Sequence, residues 1–310
     1  PVFEKYDHLL FYPVQYEGLE QSPNIVYTGA APNQQAIPAV DWAFENLGTR
    51  FFLVGSDYVF PRSVNEIMKE RIKELGGEVV GEEYRILGSK NFTEIIDKII
   101  EIHPDVILNT INGDSNLWFF KELRLRGILP QEIPTLSFSI GEIEIEYLGI
   151  RDMAGDYAAW NYFQSLNIKE NQNFVNNFKA KYGSERVTDD PMEAGYIGVY
   201  IFAKAAELAG SDDPILIRKA VKGITIVAPE GIVGIDPKTQ HTLKVVRIGQ
   251  ILESGQFKIV ASSETPIMPQ PYPDYKSKEQ WDSFLNTLYT SWNNNWSNLT
   301  EEVTEVHMVE

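Results

Sequence analysis

Short apolar runs and longer amphipathic stretches alternate along the first half of the chain. The apolar runs are bounded by polar loops, as buried strands are, and they lie at 9–11, 24–26, 51–55, 78–80, 105–110, 134–139 and 155–161. Stretches with helical spacing lie between them, at 33–47, 61–75, 92–102 and 116–126. Strands joined by crossover helices predict a parallel sheet that is covered by helices on both faces.

The pattern changes after residue 165, where long amphipathic helices come first and a β-rich segment follows. Helices are predicted at 169–182, 190–209 and 214–222, and strands at 243–252 and 256–262. A Pro-rich stretch at 266–273 is predicted to be extended. A helix at 277–296 has a continuous apolar face, so it is expected to dock on the rest of the protein. The acidic end at 300–310 is expected to fray.

Charge and composition narrow the classes of function. The 310 residues carry a formal net charge of −17, which argues against nucleic acid and anionic membrane surfaces, because both require a basic face. The length indicates about two domains. The chain has no cysteine, which excludes disulfides and Cys-ligated metals. No run approaches the roughly 18 apolar residues of a membrane span.

Motifs of catalysis and of cofactor binding are absent from the sequence. The four histidines are scattered and show no metal-ligand spacing. The sequence has no Gly-x-Ser-x-Gly elbow and neither of the common glycine-rich phosphate loops. It therefore predicts no metal, no cofactor and no enzyme activity, and the side chains that remain are of the kind that bind a ligand.

Hydrogen-bonding side chains directly follow the first three predicted strands. Tyr12, Tyr27 and Tyr58 each lie in such a loop. Ligands of open α/β sheets collect at the carboxyl ends of the strands, so these hydroxyls suit a small, neutral, polar ligand. A purely structural role as half-buried aromatic residues is the alternative for each of them.

Two further residues lie at strand ends. Asp114 follows a glycine after the strand at 105–110, where its carboxylate could accept N–H bonds from a ligand or cap the next helix. Trp160 lies at the end of the strand at 155–161, where a core role and a ligand-binding role are both open.

Several of these loops resemble, in the same order, those of a known family. The matching segments are Tyr12-Pro-x-x-Tyr16-Glu-Gly, Asn24-Ile-Val-Tyr27-x-Gly-Ala-Ala-Pro-Asn33-Gln34, Gly55-Ser-Asp-Tyr58, Asn112-Gly-Asp114-Ser-Asn116, Ala159-Trp-Asn-Tyr-Phe163 and Asp189-Asp-Pro-x-Glu193-Ala. Over residues 1–275 the chain thus resembles the substrate-binding protein of urea ABC transporters. Short-chain amide-binding proteins, including a cytoplasmic amide-sensing regulator, share part of the pattern. The segment around Asp114 is more similar to the urea-binding branch.

The resemblance implies a type I periplasmic-binding-protein fold, an α/β fold in which two doubly wound parallel-sheet lobes enclose a ligand cleft. Lobe 1 would be formed by 1–46 and 166–241, and lobe 2 by 47–165 and 242–275, with 276–310 as a C-terminal amphipathic helix and acidic tail.

Lobe 1 is also expected to lack its N-terminal part, of about a hundred residues in this fold class, because the strand at 9–11 follows a helix end without a start signal. The uncovered strands would then expose an apolar set: Leu9, Leu10, Phe11, Ile25 and Val26.

The function that the resemblance implies is extracytoplasmic solute binding. The protein would capture urea or a short-chain amide and present it to ABC permease subunits, in a periplasmic or extracellular, membrane-associated location. The ligand-binding residues carried over from the matching segments are Tyr12, Tyr27, Thr28, Tyr58, Asp114, Trp160 and Glu193. The alternative is a ligand-sensing domain of a membrane receptor, such as a histidine kinase or cyclase.

One segment departs from the family pattern. The amide-binding sequence Ser-Asp-Tyr-x-Tyr reads here as Ser56-Asp57-Tyr58-Val59-Phe60, so one hydroxyl of that loop is absent.

Overall fold

The computed structural model describes residues 2–149 and 152–299, and within those ranges the strands form three sheets. The strands are β1 (Leu10–Tyr12), β2 (Ile25–Tyr27), β3 (Arg50–Ser56), β4 (Glu78–Arg85), β5 (Val106–Thr110), β6 (Thr135–Ser137), β7 (Tyr157–Trp160), β8 (Thr225–Ala228), β9 (Gly231–Ile235), β10 (Thr242–Leu243), β11 (Arg247–Ile251) and β12 (Phe257–Ser262). The helices are α1 (Val2–Lys5), α2 (Ala36–Asn46), α3 (Val59–Leu75), α4 (Thr93–Ile102), α5 (Ser115–Leu125), α6 (Glu142–Leu148), α7 (Lys169–Tyr182), α8 (Asp190–Ala209), α9 (Pro214–Ala220) and α10 (Lys278–Ser291).

The largest sheet has seven strands in the order β12-β11-β7-β6-β5-β3-β4. The strands numbered β3 to β7 pair in parallel, whereas β11 and β12 join the sheet in antiparallel orientation. Successive residues of β3 enter opposite cores, with Phe52 and Val54 in one and Phe51 and Leu53 in the other, as the pleat of a strand requires. The predicted parallel sheet with two buried faces is therefore confirmed.

Two smaller sheets hold the remaining strands. β1 and β2 pair in parallel and place Tyr12 beside Tyr27, while β8, β9 and β10 form an antiparallel sheet. An isolated bridge between Tyr27 and His241 connects them. Val26 and Ile197 lie in one apolar core with residues of β9, so α8 packs beneath both small sheets.

The expected exposure of apolar side chains on β1 and β2 is wrong for Val26. That side chain is fully buried, because α8 and α9 cover it with Ile201 and Ile217. Leu10 and Phe11 are half-buried. Within the described ranges, β2 is the strand that β1 pairs with, so the other edge of β1 has no strand beside it.

Two predicted elements differ from the structure: one strand is divided and one helix ends early. The strand predicted at 243–252 is divided, because the chain leaves β10 at Lys244, which pairs with Ile267 before β11 begins. The helix predicted at 277–296 ends at Ser291. Asn293 and Asn294 adopt left-handed conformations with φ of 56° and 61°, and an α-helix of L-residues does not continue through them.

The C-terminal helix docks as its apolar face predicts. Trp281 of α10 is fully buried and packs with Leu19 and Ile67, and its Nε1 donates to the carbonyl of Pro273 at 2.9 Å. None of the described helices is both long enough and apolar enough to cross a bilayer.

Candidate functional site

Three polar side chains converge near the carboxyl ends of β1 and β3, and we call them the polar cluster: Tyr12, Glu17 and Tyr58. Tyr12 ends β1, Glu17 lies in the loop after it, and Tyr58 directly precedes α3. Burial raises the pKa of both tyrosines, and the charge of Glu17 raises each pKa further. The three groups therefore lie within electrostatic range of one another. Burial also raises the pKa of the Glu17 carboxyl to about 7.

The polar cluster has almost no protein partners. Within residues 2–149 and 152–299, the hydroxyls of Tyr12 and Tyr58 form no hydrogen bond to protein, and Glu17 accepts only its own backbone N–H. The three side chains are half-buried, so water can bond to them when no ligand is present. A polar ligand can therefore form hydrogen bonds here without displacing a protein partner.

Asp114 occupies the loop next to the one that carries Tyr58. Asn112 donates its backbone N–H to the hydroxyl of Ser56 at 3.0 Å, which ties the two loops together. Gly113 has a φ of 64°, a conformation that glycine adopts without strain. Asp114 stands at the N-cap position of α5, but its side chain forms no capping hydrogen bond and is exposed. The carboxylate therefore remains available to a ligand.

Tyr27 and Thr28 lie deeper than the polar cluster, and their hydroxyls already have protein partners. Tyr27 donates to the carboxylate of Glu20 and accepts the N–H of Ser22 at 3.0 Å. Its ring stacks on His241, with centroids 4.0 Å apart. Thr28 is fully buried and donates to the carbonyl of Tyr12 at 3.3 Å. The hydroxyl of Tyr27 is therefore already engaged by protein, unlike those of Tyr12 and Tyr58.

Two of the predicted site residues are enclosed by the protein. Trp160 is 3% exposed, and its Nε1 donates to the carbonyl of Ile140 at 2.7 Å. Glu193 is fully buried and accepts the N–H of Glu230 at 3.2 Å. Burial, followed by the charge of Glu230, raises the pKa of Glu193. A role in ligand binding stays a prediction for both residues. The hydrogen bonds that they form are to the protein's own backbone.

Glu193 belongs to a buried ionic cluster, which consists of Asp190, Glu193, Glu230 and Lys244. Lys244 Nζ lies 2.7 Å from Glu230 Oε1, and both side chains are almost completely buried. Asp190 accepts the backbone N–H of Asn161 at 3.0 Å, just after β7. The ionic cluster thus lies where the chain passes between the small sheets and the seven-stranded sheet. Such a cluster fixes geometry at the cost of desolvating its charges.

The described residues contain no group of three or more His, Asp or Glu side chains that could hold a metal ion. A cavity of about 390 Å³ lies beside α8, lined by Phe11, Thr28, Val199 and Phe202 among others. Its walls are mostly apolar, so it lacks the hydrogen-bonding groups that the polar cluster offers.

Comparison with known protein families identifies the fold. Residues 1–278 match a family described as the periplasmic binding protein domain. The chain belongs to that family. A solved solute binding protein of an ABC transporter from Rhodopseudomonas palustris HaA2, in complex with p-hydroxybenzoic acid, superposes with a TM-score of 0.78 at 22% identity, over 86% of this chain and 75% of that one. The expected type I periplasmic-binding-protein fold is thereby confirmed.

Two curated proteins are similar in sequence to parts of this periplasmic binding protein. A Leu/Ile/Val-binding protein homolog 6 from Brucella melitensis is 24% identical over 240 residues, which are 76% of this chain and 61% of that protein. A limonene hydroxylase from Geobacillus stearothermophilus is 37% identical over 124 residues, which are 40% of this chain and 23% of that protein. The chain thus spans less than two thirds of either relative.

Glu17 is the residue of this binding protein that motif reasoning passes over. It stands within the matching segment that begins at Tyr12, yet one carboxylate in a loop carries no signal of burial. Burial, with a smaller contribution from the charge of Glu20, raises its pKa, and its charge in turn raises the pKa of Tyr58, a residue distant in the sequence. The concentration of aromatic residues in that loop is the one signal that could have pointed to it.

Proposed function

We propose that this periplasmic binding protein captures urea or a short-chain amide at the polar cluster, with Asp114 as a further acceptor. The observation that carries the proposal is the convergence of two hydroxyls without protein partners and a carboxylate bonded only to its own backbone N–H. A urea molecule is planar and offers four N–H donors and one carbonyl acceptor. Carboxylates of Glu17 and Asp114 can accept the N–H groups, and a tyrosine hydroxyl can donate to the carbonyl.

Charge favours a neutral ligand over an anionic one. The polar cluster holds an acid and two hydroxyls, and the adjacent loop adds the exposed carboxylate of Asp114. A ligand carboxylate would be repelled by both acids. The guanidinium of Arg62, one turn into α3, is held by Asp57 at 2.7 Å, so it is already neutralised. A neutral amide satisfies the same groups without a charge penalty.

The proposed capture uses two lobes close to the predicted ones, 1–46 with 166–241 and 47–165 with 242–275. The separation of the small sheets from the seven-stranded sheet supports a division into two lobes. It moves two of the boundaries, because Ala39 and Val40 of α2 pack in a core of the seven-stranded sheet and β10 pairs with β9 in a small sheet. Tyr12 and Glu17 then belong to lobe 1, and Tyr58 and Asp114 to lobe 2, so a ligand between them would hold the lobes closed. In the proposed setting, the closed form is presented to ABC permease subunits outside the cytoplasm.

Calorimetry on the protein tests the ligand class. Urea, acetamide and formamide are titrated beside leucine and 4-hydroxybenzoate, and binding of the amides alone is expected. Tyr58→Phe, which removes only a hydroxyl, should raise the Kd about tenfold, or 1.4 kcal/mol. Tyr147→Phe is the matched control, because Tyr147 is 75% exposed on α6. Tight binding of leucine or 4-hydroxybenzoate with none of the amides would refute the proposal.

A further inference from the structure

The chain after α10 returns to the loop that carries Tyr58, and we call residues 295–298 the C-terminal strap. The carbonyl of Trp296 accepts the backbone N–H of Val59 at 2.9 Å. Ser297 of the strap pairs with Tyr58 as an isolated antiparallel bridge. The strap is therefore in direct backbone contact with a residue of the polar cluster.

This contact supplies a cap that α3 lacks by itself. Val59 is the first residue of α3, and the first N–H groups of a helix have no acceptor within it. Tyr58 occupies the N-cap position, and its side chain forms no capping hydrogen bond. The carbonyl of Trp296 provides the missing acceptor. The backbone at Tyr58 is thus fixed from outside its own helix.

A second contact fixes the residue before Tyr58. Asn298 donates its backbone N–H to the carbonyl of Asp57 at 2.9 Å and its side-chain amide to Asp57 Oδ2 at 2.7 Å. The other carboxylate oxygen, Oδ1, accepts Nε of Arg62 at 2.7 Å. Both oxygens of Asp57 are therefore bonded, one of them by the strap.

The helix that leads into the strap also packs near the loop that carries Glu17. Trp281 of α10 packs against Leu19, two residues after Glu17, and against Ile67 of α3. The N–H of Leu19 donates to the carbonyl of Pro271 at 2.8 Å. One C-terminal unit thus contacts the loop that carries Glu17 and the helix that begins after Tyr58.

We propose that the C-terminal strap is a positioning element of the ligand site, which holds Tyr58 in register with Tyr12 and Glu17. Docking of the strap and binding of the ligand then stabilise each other, and this coupling acts in both directions. The inference depends on the proposed function for the identity of the ligand. The positioning of Tyr58 by the strap rests on the backbone contacts alone.

Hydrogen exchange and calorimetry on three variants test the proposal, with urea as the probe. Asn298→Ala removes the side-chain contact to Asp57, and Asn298→Pro also removes the backbone donor. Leu299→Ala is the control, because that neighbouring side chain is 72% exposed. The Kd for urea should rise modestly in Asn298→Ala and about tenfold in Asn298→Pro, with little change in the melting temperature and none in the control.

Exchange of single amides separates positioning from general stability. Saturating urea should slow exchange at Val59 and Asn298 in the unaltered chain, and Asn298→Pro should speed exchange at Val59 without ligand. Urea binding that leaves the exchange rates of the Val59 and Asn298 amides unchanged would overturn the coupling. If none of urea, acetamide and formamide binds the unaltered chain, the proposed function fails instead. The positioning role of the strap is then tested by exchange without ligand. An exchange rate of the Val59 amide that does not change in Asn298→Pro would overturn that role.

Discussion

Replacement of Lys244 by methionine removes the cation that pairs directly with Glu230 and keeps most of the side-chain volume, while Arg247 remains as a buried cation near the same carboxylates. Lys244 and Glu230 are 0% and 2% exposed, with 2.7 Å between Nζ and Oε1. The variant leaves the Glu230 carboxylate buried without its partner, beside Asp190 and Glu193. Breaking a buried pair in this way costs about 3–5 kcal/mol. At about 2–4 °C per kcal/mol for domains of 150–250 residues, the melting temperature should fall by roughly 6–20 °C.

Thermal unfolding followed by circular dichroism measures this loss. Lys278→Met is the control, because it breaks an exposed pair with Asp282, and it should leave the melting temperature unchanged.

The charge of Lys244 lowers the pKa of Asp190 against the effect of burial, so that pKa should rise further in Lys244→Met. A folded-state pKa above the unfolded value makes stability fall as pH rises. The deficit of the variant should therefore shrink towards pH 5. A loss in Lys244→Met no larger than in the control would refute a charged cluster.

Three further predictions concern the site and the docked helix. Urea affinity should weaken as pH falls through about 7, because Glu17 takes up a proton there and can no longer accept two N–H groups. Calorimetry between pH 6 and 8.5 checks this, and the affinity of Glu17→Gln should not depend on pH in this range. Asp114→Ala should raise the Kd for urea at least about tenfold with an unchanged melting temperature, since its side chain forms no cap; a loss of affinity that only follows unfolding would contradict this. Trp281→Ala should cost about 3–5 kcal/mol in denaturant unfolding, whereas Trp296→Ala, at a side chain 49% exposed, should cost far less.

Local pattern predicts the central sheet well, because its determinants are local. The run from Val106 to Thr110 is buried at every position, as expected for a strand covered on both faces. Gly76 ends α3 in the left-handed conformation, with a φ of 81°, as its place after the helix predicts. α6 escapes prediction because Glu142-Ile-Glu-Ile-Glu alternates with a period of two, which is typical of strands. Its first turn is fixed by Glu144, which accepts the N–H of Gly141 at 2.8 Å.

The site depends on contacts that no local pattern contains. The sequence places Tyr12, Tyr27 and Tyr58 at strand ends with equal reason, and pattern alone cannot rank them. Tyr27 differs because it stacks on His241, which lies more than two hundred residues later in the chain. The same is true of the strap, whose contact with Tyr58 joins the C-terminal segment to the first half of the chain. The hydroxyl of Tyr27 is engaged by Glu20 and Ser22, which are close in sequence, whereas its ring and the backbone of Tyr58 contact residues that are distant in sequence.

The outer strand of the seven-stranded sheet, β4, has a further consequence for behaviour in solution. An edge strand offers unpaired backbone groups to any neighbouring chain, and regular apolar edges promote aggregation. β4 contains an irregularity where its pairing with β3 shifts between Phe51 and Phe52, and its side chains include Glu82 and Glu83, paired with Lys69 and Lys98. The irregular pairing and the charged side chains make this edge a poor template for another strand. We therefore expect β4 to resist pairing with a second copy of the chain.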